Sequence, residues 1–206
     1  MLSFFYSTKA AKKELYPISE ALSIQDVLDV LHTHSMLSQV FWPLSVTEGL
    51  EKKTTTPQRT KFTVSSLDTN DKATLTSQAD AVTCTEETIL GLRFTVTYRI
   101  IDSRYNPEQK IIHDIFQTES TSSLINSTTL PLETRLYLEE ERSLTAPKPL
   151  SSLMKMKDGP IVKTRNLLFF LEEMSRNGAD MASTIASLKD SVTVARERRQ
   201  EKTKED

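Results

Sequence analysis

Residues Leu92 to Ile101, LRFTVTYRII, constrain this chain more than any other stretch. Leu92, Phe94, Val96, Tyr98 and Ile100 alternate with Arg93, Thr95, Thr97 and Arg99. A period of two marks a strand with one face on apolar material and the other in water. This organising strand spans Leu90–Ile101. The spacing predicts others at Leu44–Lys53, Thr60–Leu67, Thr74–Thr85, Lys110–Glu119, Ser123–Leu130 and Thr134–Arg142. Turn residues fill the connectors Thr54-Thr55-Thr56-Pro57, Asp68-Thr69-Asn70-Asp71 and Asn106-Pro107, so consecutive strands read as an antiparallel meander.

Helical signals flank the meander. Lys12–Ser19 reads as a first strand that Pro17 confines to a sheet edge. Ser23 can cap a helix, with Asp26 three residues on, and Ile24, Val27, Leu28 and Leu31 form its apolar stripe. A second short helix, Met36–Phe41, must end before Pro43. After Ala146-Pro147-Lys148-Pro149, Leu150–Lys157 forms a segment that Gly159-Pro160 interrupts. Ile161–Asn177 is then apolar nearly all round in its centre, NLLFFLEEM, and should be heavily covered; Gly178 is a good terminator. A last helix, Ala179 to Arg196, carries a thinner stripe of Met181, Ile185, Leu188 and Val192, and the tail RERRQEKTKED is expected to fray. The expected organisation is one domain over residues 1–178, with residues 179–206 an added helix and charged tail.

Composition removes several function classes. A net charge of −2 argues against a nucleic-acid binder, which needs a concentrated basic surface. Gly49, Gly91, Gly159 and Gly178 never cluster, as phosphate-cradling loops require. Cys84, the one cysteine, excludes an intramolecular disulfide and reads as a small apolar filler. The run MLSFFYSTKAAKKE holds too short an apolar stretch for a secretory signal, and no run reaches the roughly 18 apolar residues of a membrane helix. A soluble, cytoplasmic protein is the expectation.

The paired short helices SIQDVLDVLHTHSMLSQVFWPL, the strands from Leu44 to Arg142 and the closing NLLFFLEEM resemble the helix-grip plan of the Bet v 1/START-like superfamily, the polyketide cyclase and lipid-transfer superfamily, including its small fungal members. The likeness covers residues 12–177 and is one of order and spacing. It implies an α+β fold in which a curved antiparallel sheet wraps a long C-terminal helix, with two short helices after the first strand and an extra terminal helix. An antiparallel sheet this long curls under its own twist, and incomplete closure on the helix leaves an apolar cavity between them. The resemblance also implies bulky apolar ligands and no cofactor. It transfers no catalytic residue.

The polar groups that bear on chemistry are few. His113-Asp114 lies mid-strand in KIIHDIFQT, so the two face opposite sides and one of them faces inward, where an ionisable group would have a shifted pKa. Tyr98 shares the apolar face of the organising strand; it either donates to a ligand carbonyl or is a core tyrosine with a satisfied hydroxyl. Trp42, Phe94, Phe116, Leu136 and Phe169 are the expected walls of a ligand cavity. His32 and His34, two apart on a helix, form no metal pair, and His34 suits a helix end. Glu139 and Glu141 share a face opposite Leu136 and Leu138, which places them at the surface.

The leading expectation is a cofactor-independent cyclase or isomerase, including a pericyclase such as a Diels–Alderase, acting on a hydrophobic polyketide- or terpenoid-like intermediate of secondary metabolism. Its catalytic candidates are Tyr98, His113 and Asp114. A non-catalytic carrier of lipids or hydrophobic metabolites is the alternative, and an interaction module using the terminal helix is the third. The expected partner is a hydrophobic small molecule, with no nucleic acid, no stable membrane insertion and room for a homodimer.

Overall fold

The computed structural model describes residues 5–10, 13–53, 58–65, 70–88, 91–103, 136–156, 158–178 and 180–205. Among them run strands β1 (Tyr6–Ala10), β2 (Glu14–Pro17), β3 (Val46–Lys53), β4 (Arg59–Ser65), β5 (Asn70–Ser77), β6 (Ala81–Glu87), β7 (Arg93–Asp102) and β8 (Leu136–Pro147). The helices are α1 (Ile24–His32), α2 (His34–Phe41), α3 (Lys148–Leu153), α4 (Val162–Arg176) and α5 (Met181–Glu205). All pairings are antiparallel, in the order β1-β8-β7-β6-β5-β4-β3. β2 also pairs with β8, so β1 and β2 occupy one strand position in two segments, opposite Ser143–Pro147 and Tyr137–Glu140.

β7 shows the alternation expected of it: Val96, Tyr98, Ile100 and Asp102 are buried and the residues between them are not. Its buried face joins those of β6 (Val82, Cys84), β5 (Ala73, Leu75), β4 (Phe62, Val64) and β8 (Leu136, Leu138) in one core. α4 lies on that face through Leu167, Phe170, Leu171 and Met174, and α1 and α2 add Val27, Val30, Leu31, Leu37, Val40 and Phe41. This is the expected helix-grip arrangement: a sheet of consecutive antiparallel strands, a helix pair between the first and second strand positions, and a long late helix across the inner face.

Local chemistry sets the boundaries. α1 begins with a capping box: the Asp26 N–H donates to Ser23 Oγ (3.2 Å) and the Ser23 N–H to Asp26 Oδ2 (2.8 Å). α4 ends ahead of Gly178, whose φ of 64° suits the left-handed turn after a helix. His34, read as a helix-end residue, is buried. Its ring spans Thr60 Oγ1 (2.7 Å) and Ser77 Oγ (2.9 Å), tying the helix pair to β4 and β5.

Several boundaries differ from expectation: β5 starts at Asn70, inside the expected connector, and α3 spans Lys148–Leu153 rather than Leu150–Lys157. Thr74–Thr85 is two strands, because Gln78–Asp80 turns and the Gln78 N–H closes on the Ala81 carbonyl at 2.8 Å. Leu75 and Cys84 both face inward although an odd number of residues apart, which one straight strand does not allow. The first strand begins at Tyr6 rather than Lys12, and β8 continues to Pro147, since the polar segment YSTKA pairs along its far half. The tail does not fray at Arg196: α5 continues to Glu205 through Arg, Glu, Gln and Lys, which are good helix formers. The expected strands Lys110–Glu119 and Ser123–Leu130, with His113, Asp114 and Phe116, lie outside the described residues.

Candidate functional site

Beneath α4 the described part of the sheet is filled by side chains. Tyr98, Val96, Leu138, Leu167, Phe170 and Met174 are all essentially inaccessible. Among the described residues a cleft opens to one side, between β2 and α4. There Tyr16, Pro17, Ile18 and Ser19 face Leu168, Phe169, Leu171 and Glu172 across a cleft of about 330 Å³. That volume is at the lower end for small-molecule sites. The Ile18 N–H donates to the Leu136 carbonyl at 2.9 Å, fixing the chain that forms this wall after β2 ends at Pro17.

Tyr16 connects the cleft to polar groups inside the fold. Its hydroxyl donates a short hydrogen bond to Glu14 Oε2. Glu14 Oε1 accepts from Arg142 Nη2 at 2.6 Å and from the Gly159 N–H at 2.9 Å, and Arg142 Nη1 donates to the Gly159 carbonyl at 3.2 Å. Glu140 is fully buried, its Oε1 3.2 Å from Arg142 Nε. That approach lacks hydrogen-bond geometry, so the attraction is one of charge. Thr164, on the first turn of α4, meets the Tyr98 hydroxyl at 2.9 Å. Tyr16, Glu14, Glu140, Arg142, Thr164 and Tyr98 thus form a polar strip beneath the first turn of α4.

The strip has a definite electrostatic pattern. Burial pushes the Glu140 carboxyl above its usual 4.5; the Thr164 hydroxyl, Arg142 and the Tyr16 hydroxyl offset part of that, while the charge on Glu14 adds to it. Burial also presses Glu14 upward, but the hydrogen bonds from Tyr16 and Gly159 and the Arg142 guanidinium win, and its pKa falls below 4.5. Tyr16 is raised far above 10 by burial and by its bond to Glu14. It therefore stays a phenol and acts as a donor. The two carboxyls beside one guanidinium thus have their pKa values driven apart.

Only some of the expected site residues meet at the cleft. Phe169 lines it directly and Leu136 supports its wall. Tyr98 is sealed in the core, its hydroxyl committed to Thr164. Trp42 and Phe94 belong to a different cluster. Lys163 Nζ lies 5.2 Å from the Trp42 ring centre and 6.0 Å from that of Phe94, and Glu86 takes hydrogen bonds from Trp42 Nε1 (3.0 Å) and Lys163 (2.6 Å). Glu139, expected at the surface, is largely covered by Lys13 (3.3 Å) and Arg99 (3.2 Å). Glu14, Tyr16, Glu140 and Arg142 were not anticipated. Parity along β8 carries the signal for two of them, because Glu140 and Arg142 continue the face of Leu136 and Leu138.

Among known proteins, no family model matches the chain and no curated protein does. Solved structures are similar to it over most of its length. They include norcoclaurine synthase from Thalictrum flavum in complex with dopamine and hydroxybenzaldehyde, 12% identical over 90% of this chain and 88% of that one, TM-score 0.40. The Zhui aromatase/cyclase from Streptomyces sp. R1128 is 13% identical over 90% and 96%, TM-score 0.36. Ara h 8.0201 is 8% identical over 88% and 98%, TM-score 0.38. The correspondence is one of arrangement, and the helix-grip description rests on the strand order and the position of α4 given above.

Proposed function

We propose that the cleft between β2 and α4 holds a compact hydrophobic small molecule, and that the protein acts on it as a cofactor-independent cyclase or isomerase. The observation that carries this reading is the double membership of Tyr16. Its ring lines an apolar cleft and its hydroxyl belongs to a buried acid network. Leu168, Phe169 and Leu171 would fold a flexible substrate against β2, which lowers the entropy cost of reaching a reactive conformer. The Tyr16 phenol would polarise a substrate oxygen, with Glu14 and Glu140 setting the charge behind it. His113 and Asp114 remain candidates for a second proton-transfer group.

Non-catalytic carriage is the second reading, favoured by the fact that the Tyr16 hydroxyl already has a partner in Glu14. One experiment separates the two. Polyketide- and terpenoid-like compounds are screened by displacement of a fluorescent apolar probe and by product analysis, with Leu168→Trp and Tyr16→Phe alongside. Leu168→Trp should block the cleft and abolish binding. If Tyr16→Phe keeps binding but loses turnover, the protein is an enzyme; binding without any product in the wild type supports carriage. Binding unaffected by Leu168→Trp would remove the cleft from consideration.

A further inference from the structure

The first strand and the helix that follows β8 meet at one edge of the sheet. The Lys148 N–H donates to the Phe5 carbonyl at 2.9 Å, and Lys9 Nζ donates to the Met154 carbonyl at 3.2 Å. This corner leaves apolar side chains in water: Leu153 is 80% exposed, Phe5 70% and Leu150 39%. Isolated exposed leucines need no explanation, but three large apolar groups on two joined segments do.

Charge sets the corner apart from the rest of the chain. Residues 1–13 carry Lys9, Lys12 and Lys13, and residues 148–157 carry Lys148, Lys155 and Lys157, with no acidic residue in either segment. Elsewhere acidic residues outnumber basic ones, giving the chain its net −2. Of the nearest acids, Glu14 is held by Arg142, Glu139 and Glu141 face Lys13, and Asp158 begins the next turn.

We propose that this corner docks on an anionic lipid surface, with Phe5, Leu150 and Leu153 entering the headgroup boundary and Lys9 and Lys155 facing lipid charges. Apolar side chains flanked by lysines are what such an interface selects. A second copy of the chain fits poorly, since a two-fold contact would set the same lysines against one another. No helix among the described residues is long and apolar enough to cross a membrane, so the contact lies at the surface. The inference is independent of the cleft.

The test is sedimentation of the full chain with vesicles of phosphatidylcholine alone or mixed with phosphatidylserine. Binding is expected only to the mixed vesicles and should weaken as salt rises. Phe5→Ser combined with Leu153→Ser should lower affinity roughly tenfold or more. Lys155→Glu should lower it at least about fivefold, the effect of one basic residue near such a surface. Both sets of positions are exposed, and circular dichroism confirms folding of each variant. No binding by the wild type, equal binding to neutral vesicles, or binding unchanged in the variants would overturn the proposal. So would a concentration-dependent dimer that Leu153→Ser dissolves, which would assign the corner to a second copy, or binding only to an acidic protein.

Discussion

Arg142 Nη2 stands 2.6 Å from Glu14 Oε1, joining β8 to β2 across the inner face of the sheet. The same carboxylate oxygen takes the Gly159 N–H, so one contact also clamps the turn that leads into α4. Arg142 side-chain atoms are 3% exposed and those of Glu14 17%, so the pair is largely shielded from water and salt. Removing the cation would leave Glu14 with only its hydrogen bonds from Tyr16 and Gly159, and Glu140 without the guanidinium beside it. Arg142→Met should therefore cost about 3 kcal/mol or more at neutral pH, as broken buried pairs do. Urea denaturation measures it. The loss should shrink as pH falls through the lowered folded pKa of Glu14, the last of the two carboxyls to take up a proton; an equal loss at neutral and at acid pH would deny the electrostatic origin.

Glu14 and Glu140 should bias stability in opposite directions with pH. Glu14 has a lowered pKa when folded, so its contribution is present above the unfolded value of 4.5 and is lost as pH falls through the folded one. Glu140 has a raised pKa, so its contribution is present below 4.5 and is lost as pH rises through the folded value. Glutamine has no charge to bury. Glu140→Gln should thus gain on the wild type, in unfolding free energy, as pH climbs from 4 to 7. A difference that stays flat across this range would mean that Glu140 titrates as it does in the unfolded chain.

The architecture was legible where burial dominates. Alternation in Leu92–Ile101, the Ser23–Asp26 cap and the apolar centre of Ile161–Asn177 each report a local rule that the fold obeys. The site was less legible, because it depends on what lies beside each strand. Pro17 was visible as an edge signal, yet nothing local says that β2 would oppose Leu138 and Glu140 and bring Tyr16 to an opening. Glu140 and Arg142 were readable by parity, but charged residues at a strand end ordinarily signal solvent. Trp42 was noticed as an aromatic wall; its actual neighbours, Lys163 and Glu86, come from segments distant in sequence.

Tyr98 is placed as a strut of the core. Its hydroxyl meets Thr164 Oγ1 at 2.9 Å, bonding the organising strand to the first turn of α4. Burial, together with the charges of Glu140, Cys84 and Glu86, holds its pKa well above 10 against the opposing bond from Thr164. Tyr98→Phe should cost about 1 kcal/mol, the net value of one hydrogen bond, and leave Thr164 with a buried hydroxyl to satisfy. Calorimetry checks the stability. Ligand affinity at the cleft should not change; a large loss of turnover at full binding would return Tyr98 to the reacting centre.

Cys84 offers a probe of how the sheet opens. Burial pushes its thiol up to about 12; the nearby Lys163 charge lowers it and Glu86 raises it. At pH 8 only about one thiol in ten thousand would be the reactive thiolate. Cys84 sits on the inner face of β6, opposite Leu75 on one side and Val96 on the other. A disulfide reagent can reach it only when these central strands part, so its labelling rate should fall exponentially as the unfolding free energy rises on withdrawal of urea. The Arg142→Met variant, altered two strands away on β8 in register with Val96 and Cys84, should label faster by the same factor by which its unfolding equilibrium constant rises. Labelling that ignores this destabilisation would mean that β6 opens locally, as a unit separate from β8.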